Sequence, residues 1–451
     1  MTEYVNYRLA LIHPQSRQLL AENSVGTCRL PQVSIPKRER YAEQLTRLIE
    51  ERWKTQSVVL DLVTDGWTDS PCAIVEMRAF LKAPFLDGLT AVDPDQINNE
   101  SLLDNEREII QLILAGGDAG RGPFSRIGWI DEAQTWVHTV AREDGVTLTG
   151  ETLQLGAGGA FCLIRLATSA GSGYWLKATG RPNEHEFYIT TFLAKTSPEY
   201  VPRLIAARED WNAWLMEEHG NSLIDSGSLA DFQQAVCTIA RLQTRFIGKS
   251  GALLDVCCGD HRDGTLHSRI DELIAYLDEA MALQMSTAVP RLSSSRLKAI
   301  GVALDNAFTL QQGLGIPDTI VHGDINLGSI LYDGSRCVFT DWCEAKIGNP
   351  FLTFEQLRVR ALRRSSQPEL WAQTLRNAYK ASWKDVLTER QVDLALRLAK
   401  LLSIFAVLYE RGDWITSPIR YDPRRLAYSR SLARHLDREL QTHDLQEILC
   451  Q

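Results

Sequence analysis

No run of about 18 apolar residues occurs in this 451-residue sequence, so a membrane-spanning helix is excluded and no membrane partner is expected. Basic charge is short as well. Forty-eight Lys and Arg against 57 Asp and Glu leave a formal net charge of −9, the wrong sign for displacing counterions from nucleic acid, so no nucleic-acid partner is expected. The opening residues, MTEYVNYRLALIHPQSRQLL, lack a basic stretch leading into an apolar one and a small-residue cleavage site, which sets the expectation of a cytoplasmic protein. The 9 cysteines fall at irregular spacing and read as reduced thiols rather than a disulfide framework. Cys257 and Cys258 have His261 and His267 nearby, but no second cysteine pair follows at zinc-ligand spacing. Internal repeats and low-complexity tracts are absent too.

What is present is a globular composition, with 44% apolar and 23% charged residues, in a chain long enough for two or three domains. Residues 6–13 and 56–63 are short and β-rich, and Arg38 to Trp53 has the apolar spacing of an amphipathic helix. Cys72 to Lys82 and Ser125 to Ile130 add strand-like pieces, and Asp131 to Arg142 reads as a helix with acid at its start. After Gly145 the pattern changes to alternation around a glycine cluster, which marks a domain boundary. From Ser228 onward helices dominate, broken between Thr319 and Thr340 by a strand, a polar loop and a second short strand. Ser286 to Arg296 reads as a loop.

The segment TIVHGDINLGSILYDGSRCVFTDWCEAKIGNP carries the chemistry. Ile320 and Val321 end a strand that delivers His322, Gly323 and Asp324 into a loop, and Cys337 to Thr340 delivers Asp341. Phosphoryl transfer needs one carboxylate to orient the attacking hydroxyl and accept its proton, and another to hold Mg²⁺ on the nucleotide phosphates. Asp324 suits the first task and Asp341 the second.

This segment resembles the catalytic loop of the aminoglycoside phosphotransferase and choline kinase superfamily: His-Gly-Asp, four spacers and Asn, then a downstream Asp. His322, Gly323, Asp324 and Gly328 match, and Asp341-Trp342 followed by Gly348-Asn349-Pro350 fits the same pattern. The chain departs from it at Ser329, where the superfamily has its metal-binding Asn. A serine hydroxyl coordinates Mg²⁺ in phosphate-binding loops, and Asn326 is the other substitute, so Asp341, Ser329 and Asn326 form the candidate metal set.

The resemblance implies a bilobal protein-kinase-like α+β fold, with a small β-rich lobe over 146–218 and a large helical lobe over 219–451, preceded by a separate α+β domain over 1–145. It implies ATP and Mg²⁺ as co-substrate and cofactor. It also implies a glycine loop, matched by Gly156, Gly158 and Gly159, and a phosphate-contacting lysine, matched by Lys177 at the end of YWLK. Glu186, near the start of the next helix, is the implied partner of Lys177. Glu184 is its rival, and two residues on a helix lie roughly 200° apart, so one of them faces Lys177. Met216, Glu217 and His219 fall at the adenine-holding hinge. In the superfamily the helices after Pro350 build the acceptor side, and Glu344, Glu355, Arg358 and Arg360 are charges there.

His261-Arg262-Asp263-Gly264 spells a protein-kinase triplet without the Asn that should follow, and reads as a helix start capped by Asp263 or Thr265. Residues 1–145 resemble a Nudix-like fold in element order, with a Trp-bearing linker helix, but lack the glutamate-rich Nudix box. They read as a binding, scaffolding or dimerising domain. The expected activity is ATP- and Mg²⁺-dependent phosphorylation of a hydroxyl on a small-molecule acceptor. The alternatives are a nucleotide-binding pseudokinase or protein-interaction module, and a nucleotidyl-transferring relative.

Overall fold

The computed structural model describes residues 3–13, 15–24, 26–37, 39–64, 70–78, 88–118, 120–158 and 160–449. They are α+β, in two compact units: residues 1–187 with 203–218, and residues 188–202 with 219–451. No helix among them is long and apolar enough to cross a membrane.

The first unit begins with a sheet of β1 (Tyr4–Ile12), β2 (Leu19–Ser24), β3 (Thr27–Arg29), β4 (Gln32–Pro36), β5 (Ser57–Val63), β6 (Cys72–Met77) and β7 (Leu89–Val92). The path is β3-β2-β1-β6-β5, with β4 on β1 and β7 on β2, and β1 runs parallel to β6. Both faces of β1 and β6 are buried, which explains their nearly continuous apolar runs. One face, with Leu9, Leu11, Ala73 and Val75, packs against Leu45, Ile49 and Trp53 of helix α1 (Tyr41–Trp53), residues spaced four apart on one helical stripe. The other face enters a second core together with α2 (Asp104–Leu114) and α3 (Trp129–Glu143).

The strand expected at Ser125 to Ile130 does not form. Pro123–Ser125 is a 3₁₀ turn, Gly128 sits at φ 81, and α3 starts at Trp129, so that Trp129, Ile130, Ala133, Val137 and Ala141 fill the core from a helix instead. The same core receives Cys162, Ile164, Leu166, Tyr174 and Leu176 from a second sheet. That sheet is antiparallel, ordered β11 (Leu204–Arg208), β12 (Ala213–Glu217), β10 (Gly173–Thr179), β9 (Phe161–Thr168), β8 (Leu148–Gly156). Trp211 lies edge-on to Trp129 and Trp136, with ring centres 5.6 and 6.0 Å apart. The turn at Gly145 therefore lies inside a unit whose two sheets share apolar cover.

Helix α4 (His185–Thr196) follows β10 and carries Ile189 and Leu193 into the core of the second unit. That core is built by α5 (Leu229–Arg245), α8 (Ile270–Ala282), α9 (Ser294–Gly313), α10 (Phe351–Leu362), α11 (Pro368–Trp383), α12 (Glu389–Tyr409) and α13 (Pro423–Leu440), with short α6 (Ser250–Asp255), α7 (Asp263–His267) and α14 (His443–Leu449) around them. Local signals fix the ends: Thr388 and Gln391 form a capping box, and Asp422 caps α13 just before Pro423.

Two small sheets support the catalytic segment, β13 (Asn221–Ser222) with β16 (Ile330–Tyr332) and β17 (Cys337–Phe339), and β14 (Gly259–His261) with β18 (Lys346–Gly348) and β15 (Thr319–Val321). Three strands thus stand where two are expected between Thr319 and Thr340. β15 and β17 belong to different sheets, because β15 pairs with β18 and β17 pairs with β16.

Candidate active site

The polar atoms of the second unit, more than its sheets, hold the catalytic segment together. His322 is fully buried; its Nε2–H donates to Thr340 O at 2.9 Å and its ring lies 4.6 Å from that of Trp342. Burial pulls its pKa below the ordinary imidazole value, while the Thr340 bond and the charges of Asp341 and Asp324 pull the other way. One neutral ring thus feels both candidate carboxylates. Thr340 N–H in turn donates to Ser329 O at 2.9 Å, fastening the far end of the loop. Gly323 has φ 83, and a Cβ there would run into the backbone carbonyl of Glu344, so only glycine lets the chain pass.

Asp324 is more than half exposed, and its Oδ1 accepts from Arg360 Nη2 of α10 at 2.9 Å. Asp341 follows β17 at φ 66 and ψ 59, a left-handed turn that redirects the chain into Trp342–Glu344. Asn326 is used otherwise. Its Oδ1 accepts the backbone N–H groups of Gly328 and Ser329 at 2.9 and 3.1 Å, which closes a turn and occupies the oxygen that a cation would need. Ser329 is buried. Beside them Lys346 Nζ stands 3.8 Å from Glu344 Oε2; burial lowers the lysine pKa and raises that of the glutamate, and the charge of Asp324 acts on both.

In the first unit, Lys177 Nζ donates to Glu186 Oε1 at 2.6 Å, with side-chain exposures of 10% and 1%. β10 places the lysine and the start of α4 places the glutamate. Glu184 faces Arg181 instead, at 3.8 Å. Of the glycine turn, Gly156 and Gly158 are buried and Gly159 lies outside the described residues. A Cβ at Gly156 would meet the ring of Phe161, which explains a glycine there. Met216 is buried beside Phe187 and Trp214. Glu217 pairs with Arg203 at 2.9 Å and Glu218 with Arg165 at 2.6 Å. The N–H groups of Glu217 and Glu218 are already donated, to Arg203 O and Gly173 O, which leaves the hinge segment fewer backbone groups for a base than expected. His219, in the second unit, has Nε2 3.2 Å from Arg336 O.

The element order is kinase-like. An antiparallel sheet with a lysine on its third strand and the paired glutamate on the following helix precedes a catalytic loop, a carboxylate-bearing strand end and a helical remainder. Among solved structures the chain is similar to a macrolide 2'-phosphotransferase from Brachybacterium faecium, with 14% identity, 68% of this chain and 98% of that one covered, and a TM-score of 0.43. It is also similar to a choline/ethanolamine kinase family protein from Mesorhizobium loti, with 16% identity, 71% and 98% covered, and a TM-score of 0.42. A choline kinase from Cryptosporidium parvum Iowa II gives 9% identity, 70% and 100% covered, and a TM-score of 0.46. No family model and no curated protein matches. At such values the chemistry has to be argued from the residues themselves.

Arg360 is the partner that sequence reasoning did not assign. It stood among four charges after the catalytic segment, and only the course of α10 aims it at Asp324 while Glu355 and Arg358 pair with each other at 2.7 Å. The His261 triplet is structural: His261 ends β14 and its ring bonds Glu410 O, and Arg262 pairs with Asp260. Asp263 is the first residue of α7, not its cap; Arg262 occupies the cap position without a side-chain bond.

Proposed function

We propose that this protein transfers the γ-phosphate of ATP to a hydroxyl of a small molecule. The observation that carries the reading is the buried Lys177–Glu186 pair, since a lysine and a glutamate are taken out of water together only against a cost that a structural role seldom repays. The glutamate fixes the ammonium in one place and keeps it charged, which is what a lysine that contacts nucleotide phosphates requires.

In the second unit Asp324 accepts the proton of the acceptor hydroxyl as the new oxygen–phosphorus bond forms and the bond to the ADP oxygen breaks. Arg360 keeps that carboxylate in one orientation. Asp341 fits Mg²⁺, because a carboxylate fixed by a left-handed backbone is the hard oxygen ligand that this ion takes once or twice, with water and phosphate completing its shell. Bound there, the ion would neutralise charge on the nucleotide phosphates. Asn326 does not fit, its oxygen being committed to two N–H groups. The test is ADP release over a panel of hydroxylated small molecules, with wild type against Asp324→Ala; equal turnover in both removes Asp324 from the mechanism.

A second reading follows from the same loop. With Asn326 closing a turn and a serine at 329, the second metal contact is weak, and the protein would then bind nucleotide without turning it over. Thermal shift with ATP separates the two readings, since stabilisation indifferent to Mg²⁺ favours the inactive one.

A further inference from the structure

The turn between β8 and β9 is not left to itself. Ala157 belongs to the same apolar core as Leu45, Ile49 and Trp53 of α1 and Val59 of β5. Just before it, the Gln154 side chain behaves as a piece of strand: Oε1 accepts Val59 N–H at 2.9 Å and Nε2 donates to Val59 O at 2.8 Å. At the turn, the backbone of Ala157 hydrogen-bonds the Tyr41 hydroxyl, and because the bond favours the phenolate the Ala157 N–H is the donor. Gly158, at φ 127, passes so close that a Cβ would lie 3.3 Å from the Tyr41 hydroxyl, 3.8 Å from Leu62 Cβ and 3.9 Å from Asp61 Oδ1. Asp61 is fully buried, with Arg121 Nε 3.3 Å from its other oxygen. The ring of Tyr41 is stacked on Tyr7.

A glycine turn that covers phosphates is ordinarily free to move, and a nucleotide must pay to order it. Here residues from the first sheet and α1 hold the turn at its side chains, its backbone and its closest approach. We propose that residues 1–145 serve as the scaffold of the phosphate-covering turn, with Tyr41 as a positioning residue that sets nucleotide affinity. This rests on the phosphotransferase reading and deepens it: the Nudix-like element order supplies a clamp, and hydrolysis is not needed to explain it. Tyr41 touches no reacting atom; it acts through the Ala157 amide and the course of Gly158.

The test is Tyr41→Phe in the full chain, which keeps the stacked ring and deletes one acceptor. Losing one hydrogen bond at the turn raises the dissociation constant for ATP by roughly three- to ten-fold. Turnover at saturating ATP stays within about two-fold, and hydrogen exchange at the Ala157 amide quickens. Unchanged affinity and unchanged exchange in the variant overturn the proposal while leaving the phosphotransferase reading in place. A parallel fall in turnover and melting temperature makes Tyr41 merely structural and overturns it as well. If wild type binds no ATP, both the function and the scaffold role fall together.

Discussion

Arg360 Nη2 and Asp324 Oδ1 lie 2.9 Å apart, so the helix that follows the catalytic segment reaches back to hold its carboxylate. The pair is partly exposed, with side-chain exposures of 31% and 58%, and such pairs add little to stability. Arg360→Ala therefore leaves the melting temperature within a few degrees and lowers kcat by roughly ten-fold, whereas Asp324→Ala lowers it by about 10²- to 10⁴-fold. Steady-state ADP release paired with thermal melts checks both.

The Lys177–Glu186 pair behaves differently because it is buried. Lys177→Met strands a carboxylate that is 1% exposed, at a cost of about 3–5 kcal/mol. Lys177→Met with Glu186→Leu recovers most of that loss but not nucleotide binding. Denaturant unfolding of the single and double variants, alongside ATP titration, separates stability from function.

Asn326 and Asp341 are predicted to part company. Asn326→Ala removes the acceptor of two backbone N–H groups and costs about 1 kcal/mol, with the Mg²⁺ concentration for half-maximal activity unchanged. Asp341→Asn leaves stability nearly intact and raises that concentration by an order of magnitude or abolishes activity. Magnesium titrations of both variants decide it.

Burial and the charge of Asp318 raise the Asp263 pKa to about 7, with His267 opposing. The folded value lies above the unfolded one near 3.8, so the protonated acid's contribution is complete below about 3.8 and is lost as pH rises through about 7. Asp263→Asn cannot lose a proton, and its melting temperature gains on wild type between pH 5 and 8. A flat difference across that range would reject the raised pKa.

Gly323→Ala places a Cβ against the Glu344 carbonyl at a left-handed φ. Because the neighbour is backbone and not a flexible side chain, the loop must shift, costing about 1–3 kcal/mol. The Asp324 carboxylate moves with it. Turnover falls by more than stability alone explains, which unfolding and kinetics on the same preparation show.

Periodicity and punctuation sufficed for the long helices: Pro368–Trp383 stands at the expected residues, and Thr388 and Asp422 cap where their side chains demand. Motif spacing likewise sufficed to single out Asp324, Asp341, Lys177 and Glu186, because the residue type and its place at a strand end or helix start are local properties. Short strands such as Thr27–Arg29 and Lys346–Gly348 were not legible, since three residues carry no period and form only when a partner strand is supplied. Nor was the α3 start at Trp129, where an apolar run fits strand and helix equally and the two-sheet core decides.

The sequence by itself determined which side chains carry charge and reactive oxygen, and the order in which they come. Only the tertiary structure decided which of them meet: that Arg360 turns to Asp324, that Asn326 spends its oxygen on a turn, and that Tyr41 reaches a loop more than a hundred residues away. The physical reason is range. Propensity and capping act within a helical turn or two, while ion pairs and close backbone approach depend on where distant segments pack, and packing is settled by burial of the whole unit at once.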